Sequence, residues 1–451
     1  MRSYLYTPGP TALPEAARLA GAREMVHHNS PGYRACLGEV LDGLRQAFGC
    51  AGDVLALGCS GTGAMEAVVS SLVGPGDLAI AVRAGKFGER WADMCERHGA
   101  TVVALDAPWG EVLAPERLDE ALVGGPEGAV VFCTHAETST GALQDVAALA
   151  RVCLKHGALL VADAVGSLGA DEFRFDDWGV DAAVGAAQKG LMGPPGLSFA
   201  AIGPHAWRRI EARPPRTYYW DLRLRRDRLA AQKLLCTPPV SLVVAMREAL
   251  LEVRRVGLDR CLARARAAAR AVRAGVAALG LDLFTRAPLT AGMTAVRVPA
   301  GLDAARLDAA GLDAAALVAH IAARYGVTFA NGLGPTRATV LRIGHLGAFG
   351  PLDAVTAVAA LELGLRDLGW AAAPAGRDAA GGATAAVLDE VRRWAAEEAG
   401  GAVAEEGGGA AAEEAGGAAA EANGASTASG ASAASGASAT SVARGASGDA
   451  R

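Results

Sequence analysis

The chain has 451 residues, 51% hydrophobic and 20% charged, enough for a large buried core and two or three domains of about 100–200 residues. Lys and Arg number 43 against 48 Asp and Glu, a net charge of −5, so no basic field exists to hold nucleic acid. No apolar run of about 18 residues is long enough to cross a membrane.

The opening Met1-Arg2-Ser3-Tyr4-Leu5-Tyr6-Thr7-Pro8-Gly9-Pro10 has no apolar secretory core. Eight cysteines lie far apart, without a Cys-x-x-Cys pair or a metal-ligand spacing to His. A reduced, cytoplasmic protein is expected. His27 and His28 are adjacent and read as structural.

From the first strand onward, short apolar runs alternate with helical patterns. Val54–Leu57, Leu78–Val82, Thr101–Leu105, Ala129–Cys133, Leu159–Ala162 and Ala182–Val184 read as strands. Continuous apolar strands between helices predict an α/β fold, with a mostly parallel sheet covered on both faces. Ligands of such a sheet sit at the carboxyl ends of its strands.

Four turns at those ends carry the chemistry-bearing residues. Ser60-Gly61-Thr62-Gly63 opens a helix and offers unpaired N–H groups to an anion; alone, it reads first as an ordinary N-cap. His135-Ala136-Glu137-Thr138-Ser139-Thr140-Gly141 brings hydroxyl donors or simply forms a polar turn. Asp163 ends a buried strand, where a carboxylate needs a cation, several hydrogen bonds or a helix-capping role. Lys189, in Gln188-Lys189-Gly190-Leu191-Met192-Gly193-Pro194-Pro195-Gly196, follows small residues that leave room beside its amine. Such a lysine can lose its proton and form a Schiff base, or stay a solvated loop residue.

A long helical stretch, Val240–Leu279, leads to a smaller α/β unit. There Leu281–Thr285, Thr294–Val298 and Thr339–Ile343 read as strands, and Asp313–Tyr325 and Leu352–Leu368 as helices. Arg342 sits mid-strand on the face opposite Leu341 and Ile343. Its planar fork suits a carboxylate, an internal bridge or snorkelling to water. The folded part is expected to end near Trp370. Beyond it lies an Ala-, Gly-, Ser- and Glu-rich low-complexity tail, expected to be disordered, within which residues 383–399 have the pattern of a short amphipathic helix.

In this order, the segments resemble the class V aminotransferases among the fold-type I pyridoxal-phosphate (PLP) enzymes. The likeness is to the alanine–glyoxylate and serine–glyoxylate (serine–pyruvate) branch. It runs from Thr7-Pro8-Gly9-Pro10-Thr11 to about Gly364. Its most specific stretch joins the 135–141 turn, Leu160–Gly169 and Gln188–Gly196; Asn331–Pro335 and Leu341–Gly344 match the family's small domain.

The resemblance implies a seven-stranded, mostly parallel sheet in a large domain, residues 21–256. An arm (1–20), a small domain (257–371) and the tail (372–451) complete the chain. It implies that Lys189 holds PLP as a Schiff base and moves the proton at Cα, and that Asp163 pairs with the pyridinium nitrogen. Ser60, Gly61 and Thr62 match the phosphate site, and Phe87 the residue stacked on the ring. Thr138, Val165 and Gln188 match positions lining the cofactor. Arg342 matches the clamp on the substrate α-carboxylate, with the Gly9 backbone beside it.

Thr237 matches a residue that reaches the neighbouring subunit's phosphate, so a homodimer is implied. Leu234 stands where the glyoxylate enzymes of this branch carry a tyrosine, and that phosphate contact is missing or supplied elsewhere. The implied reaction moves the amine of a small amino acid, alanine or serine, to glyoxylate or pyruvate.

Another class V chemistry, such as a cysteine-desulfurase-like lyase or a transaminase with a different donor, is the alternative. The lyases use a late nucleophilic Cys, a stacked His and a His before the lysine. Here the last cysteine is Cys261, and Phe87 and Gln188 hold the other two positions.

Overall fold

The computed structural model describes residues 3–125, 128–299, 313–370 and 382–398. Seven short segments form the central sheet: β1 (Asp53–Leu57), β2 (Leu78–Arg83), β3 (Thr101–Asp106), β4 (Val130–Thr134), β5 (Leu159–Asp163), β6 (Ala182–Ala186) and β7 (Ser198–Ile202). Their order is β1–β7–β6–β5–β4–β2–β3. β7 runs antiparallel to both β1 and β6, and all other neighbours are parallel.

Every residue of β4 to β7 is buried, as expected of strands covered on both faces. Alternate residues feed two cores. Val131, Cys133 and Leu160 pack on one face with Phe48 and Leu149, and Val130, Phe132 and Val161 pack on the other with Met65 and Trp91. The six strands read from the sequence all form; β7 was not among them and enters antiparallel after the Pro/Gly loop. Helices α1 (Gly61–Leu72) and α2 (Lys86–Arg97) follow β1 and β2, with their N-termini at the carboxyl ends of those strands.

The long helical stretch is two helices, α3 (Val240–Val256) and α4 (Leu258–Ala278), broken at Gly257 with φ +88°. A left-handed residue cannot continue a helix, and glycine takes that conformation without steric cost.

The smaller unit holds β8 (Met293–Arg297), α5 (Ala314–Tyr325), β9 (Ala330–Asn331), β10 (Val340–Gly344) and α6 (Pro351–Asp367), with an antiparallel sheet ordered β8–β10–β9. The expected strand Leu281–Thr285 does not form. It lies beside β8 through two bonds, Phe284 N to Ala295 O and Arg297 N to Asp282 O, too few for a ladder. The chain's start also belongs here: Tyr4–Leu5 pairs in parallel with Val327–Thr328, and Tyr6 is buried in this unit's core.

The packed chain extends beyond the expected end at residue 371. Helix α7 spans residues 382–398. Its Ala383 and Val387 enter the core shared by α4 and α6, and Trp394, 2% exposed, packs on Ala267 and Ala268. Burying that indole is worth about 3 kcal/mol, a local anchor that meets only a small part of the cost of about 1–2 kcal/mol per residue for ordering the helix. The rest of the predicted tail, 372–381 and 399–451, lies outside the described residues.

Candidate active site

The turns after β4, β5 and β6 converge with the N-terminal arm and β10. Asp163 is the last residue of β5 and is 3% exposed. One carboxylate oxygen accepts from Val165 N at 2.8 Å. Burial pushes its pKa up to about 6 and the charge of Glu137 pushes the same way, against the Val165 N–H, Arg90 and Lys189. Such a carboxylate is stabilised by a cation brought to it.

Lys189 reaches the same place because the loops around it have small residues. A Cβ on Gly190 would lie 2.4 Å from Leu168 O, so glycine there lets the lysine loop press against the turn that follows Asp163. Burial lowers the Lys189 pKa to about 8; Asp163 opposes the shift, and Arg342 and Arg90 add to it. Its Nζ donates to Pro8 O at 2.6 Å. Gly9, at φ +102°, crosses directly over this side chain, and a Cβ there would be 2.4 Å from Lys189 Cδ. Thr11 fastens the arm by donating from its N to Gln188 O and from its hydroxyl to Lys189 O. The Gln188 Oε1 atom is buried without a partner.

Arg342 projects from β10. Its Nε donates to Asn331 O at 2.8 Å and its Nη1 to Thr138 O at 2.7 Å. Among the described residues no carboxylate pairs with it directly. Burial lowers its pKa to about 10, against the attraction of Glu137. A buried guanidinium aimed by two neutral carbonyls is ready for an anionic partner. The internal bridge considered for it does not form.

The Ser60–Thr62 turn caps α1. Ser60 makes no side-chain capping bond, and both Ser60 and Thr62 are exposed. The helix therefore presents its first N–H groups and positive dipole end outward. Gly61 sits tight against Val165, since a Cβ there would be 2.9 Å from Val165 Cγ2.

Phe87 lies in the first turn of α2, and Glu137 holds that turn. One Glu137 oxygen accepts from Phe87 N and Gly88 N, and the other accepts from Ser139 N and Oγ. Ser139 Oγ in turn accepts from Lys86 N. Glu137 is buried, and that burial raises its pKa against these hydrogen bonds.

Within its sequence motif Glu137 carries no assigned role. An acid amid Thr and Ser, with no cation beside it in sequence, was the available signal. Thr237 lines a cleft with Leu234, Tyr219 and Gly58, the last of these two residues before Ser60.

The residues fit a cofactor with an anionic end and a basic ring nitrogen. A buried carboxylate without a cation in bonding contact, a lysine of lowered pKa, the orphaned Gln188 oxygen and an open helix N-terminus surround one region.

The Aminotransferase class-V family model matches residues 24–326. The L-aspartate–glyoxylate aminotransferase of Paracoccus denitrificans is 37% identical, over 81% of this chain and 91% of that one. Ureidoglycine–glyoxylate aminotransferase from Bacillus subtilis superposes with a TM-score of 0.80 at 28% identity, covering 87% of this chain and 98% of that one. Alanine–glyoxylate aminotransferase from Nostoc sp. gives 0.75 at 30% identity, covering 81% and 96%.

The chain belongs to the class-V aminotransferase family, and its fold is that of the fold-type I PLP enzymes. It is an aminotransferase whose cofactor is pyridoxal 5′-phosphate. Among the described residues, no helix is long and apolar enough to cross a membrane.

Proposed function

We propose that this aminotransferase moves the amino group of a small amino acid, alanine or serine, to glyoxylate, yielding glycine and the donor's 2-oxo acid. Three similar proteins named above have different donors in their names, and glyoxylate recurs in all three. The observation that carries the reading is the buried pair of Asp163 and Lys189, with Arg342 aimed beside them.

When bound, PLP supplies an electron sink for the bonds at the amino acid's Cα. Asp163 would place its negative charge against the ring nitrogen, which would answer the desolvation of that carboxylate. The Lys189 amine would hold the cofactor and, once released, would take and return the proton at the substrate Cα, with burial lowering its pKa. Arg342 grips the substrate α-carboxylate with its remaining donors, and the Gly9 backbone closes the space above Lys189.

Phe87 would support the ring, and Thr138, Val165 and Gln188 would line its place. Ser60, Gly61 and Thr62 bind the phosphate through the α1 N-terminus. The exposure of Ser60 and Thr62, with the resemblance of Thr237 to a residue that reaches the neighbouring subunit's phosphate, supports a homodimer in which each chain's Thr237 serves the other's site. Eight free cysteines support a reducing, cytoplasmic setting.

The test is glycine formation from glyoxylate by the PLP-loaded protein with alanine, serine and aspartate offered separately. Alanine or serine should lead. Aspartate in the lead would replace the donor assignment, and no glycine from any donor would end the proposal.

A further inference from the structure

The outer end of the site carries a cation to which the motifs assign no role. Arg90 stands three residues after Phe87 on α2, so the two side chains share a helix face. Its Nη1 donates to Thr62 Oγ1 at 2.8 Å, and its guanidinium lies 4.9 Å from the centre of the Phe87 ring. Among the described residues no carboxylate pairs with it; the nearby Glu89 is taken by Lys86 at 2.9 Å. The Arg90 charge is also felt at Asp163 and at Lys189.

A phosphate monoester carries close to two negative charges near neutral pH. Hydroxyls and N–H groups at Ser60–Thr62 offer only neutral donors and about half a charge from the helix. Leu234 adds no hydrogen bond. More than one negative charge is left for a cation to balance.

We propose that Arg90 is a phosphate-binding residue of this aminotransferase, supplying the cation for the cofactor phosphate received at Ser60–Thr62. Thr62 fixes one edge of the guanidinium and Phe87 supports it from the side, so the fork is oriented before the phosphate arrives. The inference rests on the reading of Ser60–Thr62 as the phosphate end.

The experiment measures equilibrium binding of PLP, and separately of pyridoxal, to apoenzyme by quenching of tryptophan fluorescence. Wild-type protein should prefer PLP strongly. Arg90→Met should weaken PLP about 10- to 100-fold, as expected for a charged hydrogen bond, and leave pyridoxal within about 3-fold. Arg90→Gln keeps a donor for Thr62 but no charge. It should show the same phosphate-selective loss, which guards against a folding defect in the methionine variant.

Equal weakening of PLP and pyridoxal in both variants would overturn the proposal and leave Arg90 a support for Phe87. Unchanged PLP affinity would overturn it as well. If wild-type protein does not prefer PLP to pyridoxal, the phosphate-end reading fails and the proposal falls with it.

Discussion

Asp163 is 3% exposed and has a single backbone N–H on its carboxylate, whereas Ser60 and Thr62, across the same site, lie open to solvent. The inner end is governed by desolvation. With little water to compete, each charge there shifts its neighbours, and Lys189 and Asp163 leave their ordinary ranges together. The outer end works by number: neutral donors, a helix terminus and a screened cation each add a little. One end of the site should therefore be brittle and insensitive to salt, and the other tolerant and salt-dependent.

The largest effects belong to the inner end. Lys189→Ala should cost about 10⁴-fold or more in kcat/KM, and Asp163→Asn about 10²- to 10³-fold, the scale of a broken buried charge pair. Asp163→Asn should nonetheless stabilise the apoprotein at alkaline pH. The folded pKa of about 6 lies above the unfolded value, so the native state holds the extra proton between about pH 4 and 6. This carboxyl's contribution is fully present below that window and lost as pH rises through it, by at most about 3 kcal/mol. Urea unfolding of both apoproteins across pH 5–8 should show the variant gaining on wild type; a gap that closes as pH rises would contradict the burial argument.

Lys189 gives the next effect. With its pKa near 8, about a tenth of the amine is neutral at pH 7. Capture of PLP by apoenzyme, read by stopped-flow absorbance, should quicken about tenfold per pH unit up to 8 and then level off. Arg342→Gln removes a cation that depresses this pKa, so the levelling point should move upward. A profile still rising steeply at pH 10 would mean that the amine is not desolvated.

The inner end was also the more legible from sequence. An acid closing an all-apolar strand and a lysine after an Ala/Gly run are local patterns, and both fell where the strand reading put them. What escaped depended on contacts distant in the chain. Glu137 reaches α2 across some fifty residues, 50 to Phe87 N and 49 to Gly88 N. The Leu281–Thr285 segment has strand-like residues but only two bonds to β8. The helix over 383–399 was legible as an amphipathic pattern, but not its docking: Trp394 packs on the small alanines of α4 at 267 and 268, with Phe349 beside them. Composition weighs average burial, and a single well-housed indole escapes the average.

Glu137 joins the two ends and should show an intermediate effect. Glu137→Gln trades a four-site acceptor for an amide whose NH₂ must face N–H donors. The apoprotein should lose about 1–3 kcal/mol in urea unfolding, and activity should fall about tenfold through a displaced Phe87. Relief of a buried charge offsets part of the loss. A variant as stable as wild type would show that the turn at Phe87 holds without this carboxylate.

Thr62→Ala should have the smallest effect. The lost hydroxyl is exposed and makes one bond, from Arg90, so PLP affinity should fall only about 2- to 10-fold. Arg90 keeps its charge, released from one tether, which limits the damage. Because a cation and a helix terminus near solvent carry the remaining attraction, PLP affinity of both wild type and this variant should weaken as salt rises from 0.05 to 0.5 M, roughly in parallel. The loss caused by Asp163→Asn should stay constant over the same range. Should Thr62→Ala cost as much as Asp163→Asn, or should salt leave PLP affinity untouched, the outer end is as sealed as the inner one and the contrast between them is wrong.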